Sequence, residues 1–249
     1  MSLGIPDYVD YTKDQRYSQR VMAGGFGGLL SNSETVDRLL DEMDPVDKKS
    51  LQGWYWFDWA NQAFALTVIT VVVPTLLSNM FNLANGGSAD YAGMTFTGDS
   101  FYAVVLGISS VFVAIVSPVL GAIADRMPIK KKILRVYTVV GILFTGLMGL
   151  APYMDDSSSY KFLAICLIMG NIGFAGGHAI YSAFLPYLGD KRLMDHISSW
   201  GYAYGFLGGC ILLTIHLAIG LRYGFEDPDV QCFVFVTSAL WWLGFSVPM

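Results

Sequence analysis

The chain has 249 residues, of which 54% are apolar and only 14% charged, with a mean hydropathy of +0.49. A soluble domain carries roughly 25% charged residues, so this composition excludes a water-soluble globule and points to an all-α membrane protein. A net charge of −5 without a basic stripe argues against a nucleic-acid partner, and Cys166, Cys210 and Cys232, scattered in apolar runs, read as small apolar filler rather than a disulfide framework or metal site.

Residues 1–52 form a polar segment, expected to lie in the cytoplasm. Charges of alternating sign (Asp7, Asp10, Lys13, Asp14, Arg16, Arg20) precede Gly24, Gly25, Gly27 and Gly28. No strand signal precedes this glycine cluster, as a phosphate-binding loop would need, so it reads as a flexible link. Ser33 is placed to cap a short helix over Glu34–Met43, with Leu39, Leu40 and Met43 on one side, lying on the membrane surface or on the bundle. These residues contain no apolar signal-peptide region, so insertion is expected to begin at the first apolar run.

Residues 53–249 form the membrane domain. It opens with Gly53-Trp-Tyr-Trp-Phe-Asp-Trp-Ala-Asn-Gln-Ala-Phe64, followed by an uncharged apolar run. A belt of aromatics beside such a run marks entry into a bilayer. Asp58, Asn61 and Gln62 are spaced i, i+3, i+4 and share one helical face, which a plain anchor would not need. From here the sequence predicts six transmembrane helices, near 55–80, 100–124, 133–152, 161–187, 199–220 and 230–248, each about 20 residues or longer and able to cross about 30 Å of hydrocarbon. Thirteen of the fifteen Lys and Arg residues fall in the N-terminal segment and in the connections after the second and fourth helices; only Lys161 and Arg222 fall on the other side. The positive-inside rule then places the N-terminus in the cytoplasm. Apart from about twenty residues after the first helix the connections are short, which predicts that consecutive helices are antiparallel neighbours. Small residues predict where helices touch: Gly107, Ser110, Ala114, Ser117 and Gly121 in the second, Gly173 and Gly177 in the fourth, Gly201, Gly205 and Gly209 in the fifth.

After the second helix the chain reads Gly121-Ala-Ile-Ala-Asp125-Arg126-Met-Pro128-Ile-Lys130-Lys131-Lys132. This resembles the cytoplasmic loop signature of the major facilitator superfamily, with Pro128 where the family has glycine and Ile129 where it has a basic residue. The resemblance implies that Gly121, Asp125, Arg126 and Lys130 belong to a cytoplasmic gating loop; the alternative is a solvated charge balance that marks topology. Trp54-Tyr-Trp-Phe-Asp-Trp-Ala-Asn61, Tyr181-Ser-Ala-Phe-Leu-Pro-Tyr-Leu188 and Ser198-Ser-Trp-Gly-Tyr-Ala-Tyr-Gly-Phe-Leu-Gly-Gly209 resemble the vacuolar effluxer branch, the autophagy-related amino-acid exporters and their bacterial relatives. That resemblance implies a proton- or gradient-driven transporter that exports neutral amino acids or similar solutes by alternating access. It also implies that six helices are one half of a major-facilitator-type bundle, the N-terminal one, so a second six-helix half or a second chain is an expected partner, beside the lipid bilayer and the solute. The membrane would be plasma or vacuolar, according to whether the host is prokaryotic or fungal.

The residues proposed to line the solute or proton pathway are Asp58, Asn61 and Gln62 on the first helix and Asn171, His178 and Tyr181 on the fourth. Polar groups inside a membrane span face a partner helix or a wet cavity. An acid in the first turn of a helix can instead complement its dipole, a buried asparagine can bond a neighbouring helix, and a lone histidine can be a packing residue. His196 and His216 read as ordinary, and Tyr102 is a weaker candidate beside Gln62. A membrane enzyme is not expected, because neither H-E-x-x-H nor G-x-S-x-G occurs and Asp58 is the one acid clearly inside a span; no cofactor is expected. The competing reading is a non-transporting membrane module that docks partners through its glycine stripes and its polar N-terminal segment.

Overall fold

The computed structural model of the chain describes residues 36–126, 129–189 and 191–247. It is built from six long helices: α1 (Pro45–Asn85), α2 (Gly98–Arg126), α3 (Lys130–Met148), α4 (Asp156–Ser182), α5 (Met194–Tyr223) and α6 (Pro228–Ser246). The first five are long and apolar enough to cross a membrane. In α6, Asp229 and Gln231 near the start and two tryptophans dilute the apolar character of a shorter segment.

α1 starts well ahead of residue 55, where composition placed it. The side chain of Asp44 accepts a hydrogen bond from the Val46 amide at 2.8 Å, and Pro45 occupies the first turn, where its missing N–H costs nothing. Both signals lie in the charge-rich stretch that hydropathy assigns to the polar segment. The short helix expected over Glu34–Met43 is observed at 36–41; Ser33 and Glu34 lie outside the described residues. It rests on the bundle: Val36, Leu39, Leu40 and Met43 pack into a cluster with Leu51, Trp54, Phe57, Leu188 and Leu193.

In the middle of α1, residues Phe64–Val72 adopt a π-helix, whose cause is Pro74. A proline inside a helix lacks the N–H of its turn and its ring crowds the carbonyl before it, so the helix widens. In the i→i−5 register the Val73 amide bonds to the Val68 carbonyl, and the carbonyl that Pro74 leaves without a donor is that of Ile69. The Tyr102 hydroxyl, from α2, donates to Ile69 O at 2.8 Å. Thr70 closes the same widened turn by donating to Ala65 O at 2.8 Å.

The connection after α1 is shorter than expected and holds a hairpin. Strand β1 (Ser88–Tyr91) pairs antiparallel with β2 (Met94–Thr97), and the turn places Ala92 and Gly93 at φ of 51° and 79°, the positive values that a two-residue turn of this twist requires. Hydrogen bonds from Gly98 N to Asn82 Oδ1 (3.0 Å) and from Ser78 Oγ to Asp99 Oδ1 (2.7 Å) tie the hairpin's far end to α1.

Helix pairing departs from the expectation that consecutive helices are neighbours. α3 and α4 do pack along their length, and the second half of α1 packs on α2, but the main partner of α1 is α5 and α2 lies against α4. α6 packs on α1 and α3. Exchanging the first three helices for the last three maps α1–α5 onto α4–α2, α1–α6 onto α4–α3, and α3–α6 onto itself. That is the pairing of two three-helix repeats. The glycine stripes of α4 and α5 lie in these contacts. A Cβ at Gly173 would stand 2.5 Å from Gly141 Cα, and one at Gly209 2.9 Å from the Gln62 carbonyl oxygen. The stripe on α2 does not: Gly107 and Gly121 have open space around them, and α2 uses Val105 and Ser109, both buried, to contact its neighbours. One face of α2 (Val104, Ile108, Phe112, Ile115) and one of α5 (Trp200, Leu207, Ile211, Ile215) remain exposed.

Two measurements test these contacts. Tyr102→Phe leaves the Ile69 carbonyl without a donor and is expected to destabilise the chain by about 1–3 kcal/mol, read as a lowered thermal midpoint in detergent. Gly173→Ala inserts a methyl group between two helix backbones and is expected to cost about 1–3 kcal/mol by the same assay, whereas Gly107→Ala is neutral or slightly stabilising.

Candidate functional site

The site forms where α1, α4 and α5 meet, around Asp58. Because α1 begins at Pro45, Asp58 is thirteen residues into the helix, about 20 Å along its axis. The first-turn acid is Asp47, so Asp58 does not serve the dipole of this helix. It is 1% exposed. What covers it is α5: a Cβ on Gly205 would lie 2.5 Å from Asp58 Oδ2 and 2.8 Å from Gln62 Cγ. Only a glycine allows the α5 backbone to close over the carboxyl group. Gly201 meets the Trp54 ring in the same way, Gly208 the Trp59 ring and Gly209 the Leu66 side chain.

From α4, Tyr181 completes the junction. Its ring stacks on Trp54 at 4.4 Å and 11° and on Phe57 at 5.3 Å, and its carbonyl accepts from Trp54 Nε1 at 3.3 Å. His178 lies one turn away, 5.4 Å from the Tyr181 ring and 6.2 Å from Phe174. The polar atoms gathered here have no partner among the described residues. Asp58 Oδ1, both polar side-chain atoms of Asn61, the Tyr181 hydroxyl and His178 Nδ1 are all buried and unbonded; Trp59 Nε1 is unbonded too, but its ring lies against Trp241 and Phe245 of α6. Each such group costs about 1–3 kcal/mol if left so, and buried polar atoms in folded proteins are ordinarily satisfied by protein, ordered water or a bound molecule. Gathered at one helix junction, they can receive a proton, a cationic or hydrogen-bonding solute, or water.

The other sequence-proposed residues are placed differently. Gln62 is buried against Gly205 and Gly209 of α5. Asn171 faces α2, where its Nδ2 donates to Ser109 Oγ at 2.7 Å, while Ser109 donates to Leu106 O. It is an interhelical bond, satisfied within the protein and separate from the Asp58 junction. Gly121 is half-buried near the end of α2; the side chains of Asp125 and Arg126 lie outside the described residues. Lys130 opens α3 and sets its ammonium group 4.6 Å above the Tyr187 ring. Among the described residues no three His, Cys, Asp or Glu side chains gather as a metal would require.

His216, which reads as ordinary in the sequence, lies apart from the Asp58 junction and forms a buried polar bridge. It is 1% exposed and bridges three helices. Its Nε2 is 2.8 Å from Thr237 Oγ1 of α6 and its Nδ1 is 3.4 Å from Thr67 Oγ1, in the π-turn of α1. Thr237 spends its one hydroxyl proton on Phe233 O, at 2.6 Å. It therefore accepts from the ring, which puts the imidazole proton on Nε2 and leaves Nδ1 to accept from Thr67. The clue lay in Thr67 and Thr237, polar residues in spans that pair with a histidine from a third.

Comparisons with known proteins identify the family. The family model described as vacuole effluxer Atg22 like matches residues 46–249. The uncharacterized MFS-type transporter YxiO of Bacillus subtilis is 29% identical over 210 residues, covering 81% of this chain and 46% of YxiO. Autophagy-related protein 22 of Kluyveromyces lactis is 23% identical over 234 residues, covering 81% and 46%, and that of Vanderwaltozyma polyspora is 19% identical over 264, covering 89% and 49%. The chain thus spans about half the length of these curated relatives. No solved structure matches it. With the family model covering nearly all of the six-helix region, this multi-pass membrane chain belongs to the vacuole effluxer Atg22-like family.

Proposed function

We propose that the chain forms the N-terminal six-helix half of a secondary transporter that exports neutral amino acids or similar small solutes by alternating access. All six helices span the bilayer, with the N-terminus and the basic connections in the cytoplasm, in the plasma membrane of a prokaryote or the vacuolar membrane of a fungus. The carrying observation is the set of unbonded buried polar atoms at the α1–α4–α5 junction. Asn171, by contrast, has its amide bonded within the protein. Asp58 is the group that takes up a proton or the ammonium group of a solute, with Asn61, His178 and the Tyr181 hydroxyl completing its shell. Membership of the effluxer family and the likeness to an MFS-type transporter support the same reading. The companion is a second set of helices, in the same protein or in another chain, seated on the exposed faces of α2 and α5.

Proteoliposomes holding the chain together with its companion helices, loaded with labelled neutral amino acids, provide the test. Asp58→Asn is expected to reduce efflux to the level of empty vesicles without changing the helical circular dichroism of the protein. Wild-type efflux from a folded Asp58→Asn variant would remove Asp58 from the pathway. A pure docking module makes the opposite prediction: loss on Gly205→Leu, which wedges α5 away from α1, and no effect of Asp58→Asn.

A further inference from the structure

A cavity of about 360 Å³ lies where α1, α3 and α6 meet, and it shares Phe57 with the Asp58 junction. Its size falls within the roughly 300–1,000 Å³ of small-molecule sites. The walls are apolar: Phe57 forms the floor from α1, Leu134 and Ile142 line α3, and Val139 (62% exposed) and Leu243 (50% exposed) stand open to the surrounding hydrocarbon. At one end the character changes. Lys131 and Arg135, one turn apart on α3, line the mouth, and no Asp or Glu is among the lining residues. Neither forms an ion pair among the described residues. Ser246 of α6 lines the same cavity with its hydroxyl buried and unbonded. The first turn of α3 has no side-chain cap, so its free amides add to the positive potential at this end.

The depth of the mouth is marked independently. Lys131 also lines a neighbouring cavity with Lys49, Trp54 and Tyr187, the mixture of basic and amphipathic aromatic residues that sits at headgroup level. An arginine fork and a lysine beside a slot open to lipid match a phosphodiester with an attached acyl chain. A free anion would leave the apolar slot unused, and a neutral lipid would leave the two cations unpaired.

We propose that this groove binds an anionic phospholipid from the leaflet at the basic end of α3, with its phosphate on Lys131, Arg135 and the Ser246 hydroxyl and one acyl chain between α3 and α6. This site is independent of the transport reading. Basic groups near a membrane surface contribute about 1 kcal/mol each toward anionic lipid, so the pair is worth about tenfold or more in selectivity.

The purified full chain in a neutral detergent, titrated with dioleoylphosphatidylglycerol, dioleoylphosphatidylcholine and inorganic phosphate and read by native mass spectrometry, tests the proposal. Phosphatidylglycerol is expected to bind about tenfold or more tightly than phosphatidylcholine, and inorganic phosphate at the same concentration is expected not to displace it. The double substitution Lys131→Gln with Arg135→Gln abolishes the preference, and Val139→Trp, on an exposed position that fills the slot, weakens binding of phosphatidylglycerol. Lys161→Gln, near the start of α4, changes neither. Equal binding of the two lipids, or a preference that survives the double substitution in a protein with unchanged circular dichroism, overturns the site. Displacement by inorganic phosphate, or full binding in Val139→Trp, overturns the acyl slot.

Discussion

The contact between α1 and α5 governs the rest of this bundle. In hydrocarbon, two helices gain little by burying apolar surface against each other, so they associate through close van der Waals contact and through hydrogen bonds. α5 achieves that contact by presenting Gly201, Gly205, Gly208 and Gly209 to Trp54, Asp58, Trp59 and Leu66. At these four glycines the large side chains come from α1 and the missing ones from α5. The aromatic rings fill the groove so left, and the carboxyl group of Asp58 is enclosed as a by-product of the same fit. A side chain at position 205 would move the helices apart and admit lipid or water to Asp58. The chemistry of the junction therefore rests on atoms that α5 lacks.

The second constraint is that every backbone carbonyl in a membrane needs a donor. Pro74 breaks that rule in the middle of α1, and the chain answers with a nine-residue π-helix and with the Tyr102 hydroxyl. The widened turn carries Thr67, which meets His216 of α5, and His216 in turn meets Thr237 of α6. One proline thus accounts for a tyrosine contact to α2 and for the local geometry of a three-helix polar bridge. α1 is a regular α-helix where it holds Asp58 and a widened π-helix where it holds Thr67.

Much of this was legible in the sequence, and the rest failed for identifiable reasons. Apolar run length found the six long helices, five of them long and apolar enough to cross a membrane, and the glycine stripe of α5 was read correctly as a packing surface. The start of α1 was missed since the Asp44–Pro45 signal lies among charges, and hydropathy cannot tell a soluble stretch from the polar end of a helix. The α2 stripe was misread because spacing alone does not say whether a partner is present: it faces outward here, while Ser109 makes the contact. Asn171 shares a helical face with His178, yet it lies two turns away, about 10 Å along the axis, where it meets α2. Neighbour relations were the least legible, since short connections limit distance but leave α1 free to take α5 as its partner.

The two repeats expose what is unusual about the Asp58 junction. α4 meets α2 through Asn171 and Ser109, a pair whose hydrogen-bonding needs are met inside the protein. The corresponding pairing, α1 with α5, encloses Asp58, whose Oδ1 is buried and unbonded, and Asn61 on the same helix has both polar side-chain atoms buried and unbonded. The α2–α4 contact therefore has nothing to gain from a ligand, and the α1–α5 contact does. Satisfying two or three of those atoms is worth about 1–3 kcal/mol each. Reversing a two-state population from 1:99 to 99:1 takes about 5.5 kcal/mol. On the proposed transport reading, a proton or solute at Asp58 supplies free energy of that order at one helix pair while its symmetry mate stays fixed. A bundle whose repeats respond unequally to the same ligand has a reason to rearrange when the ligand arrives.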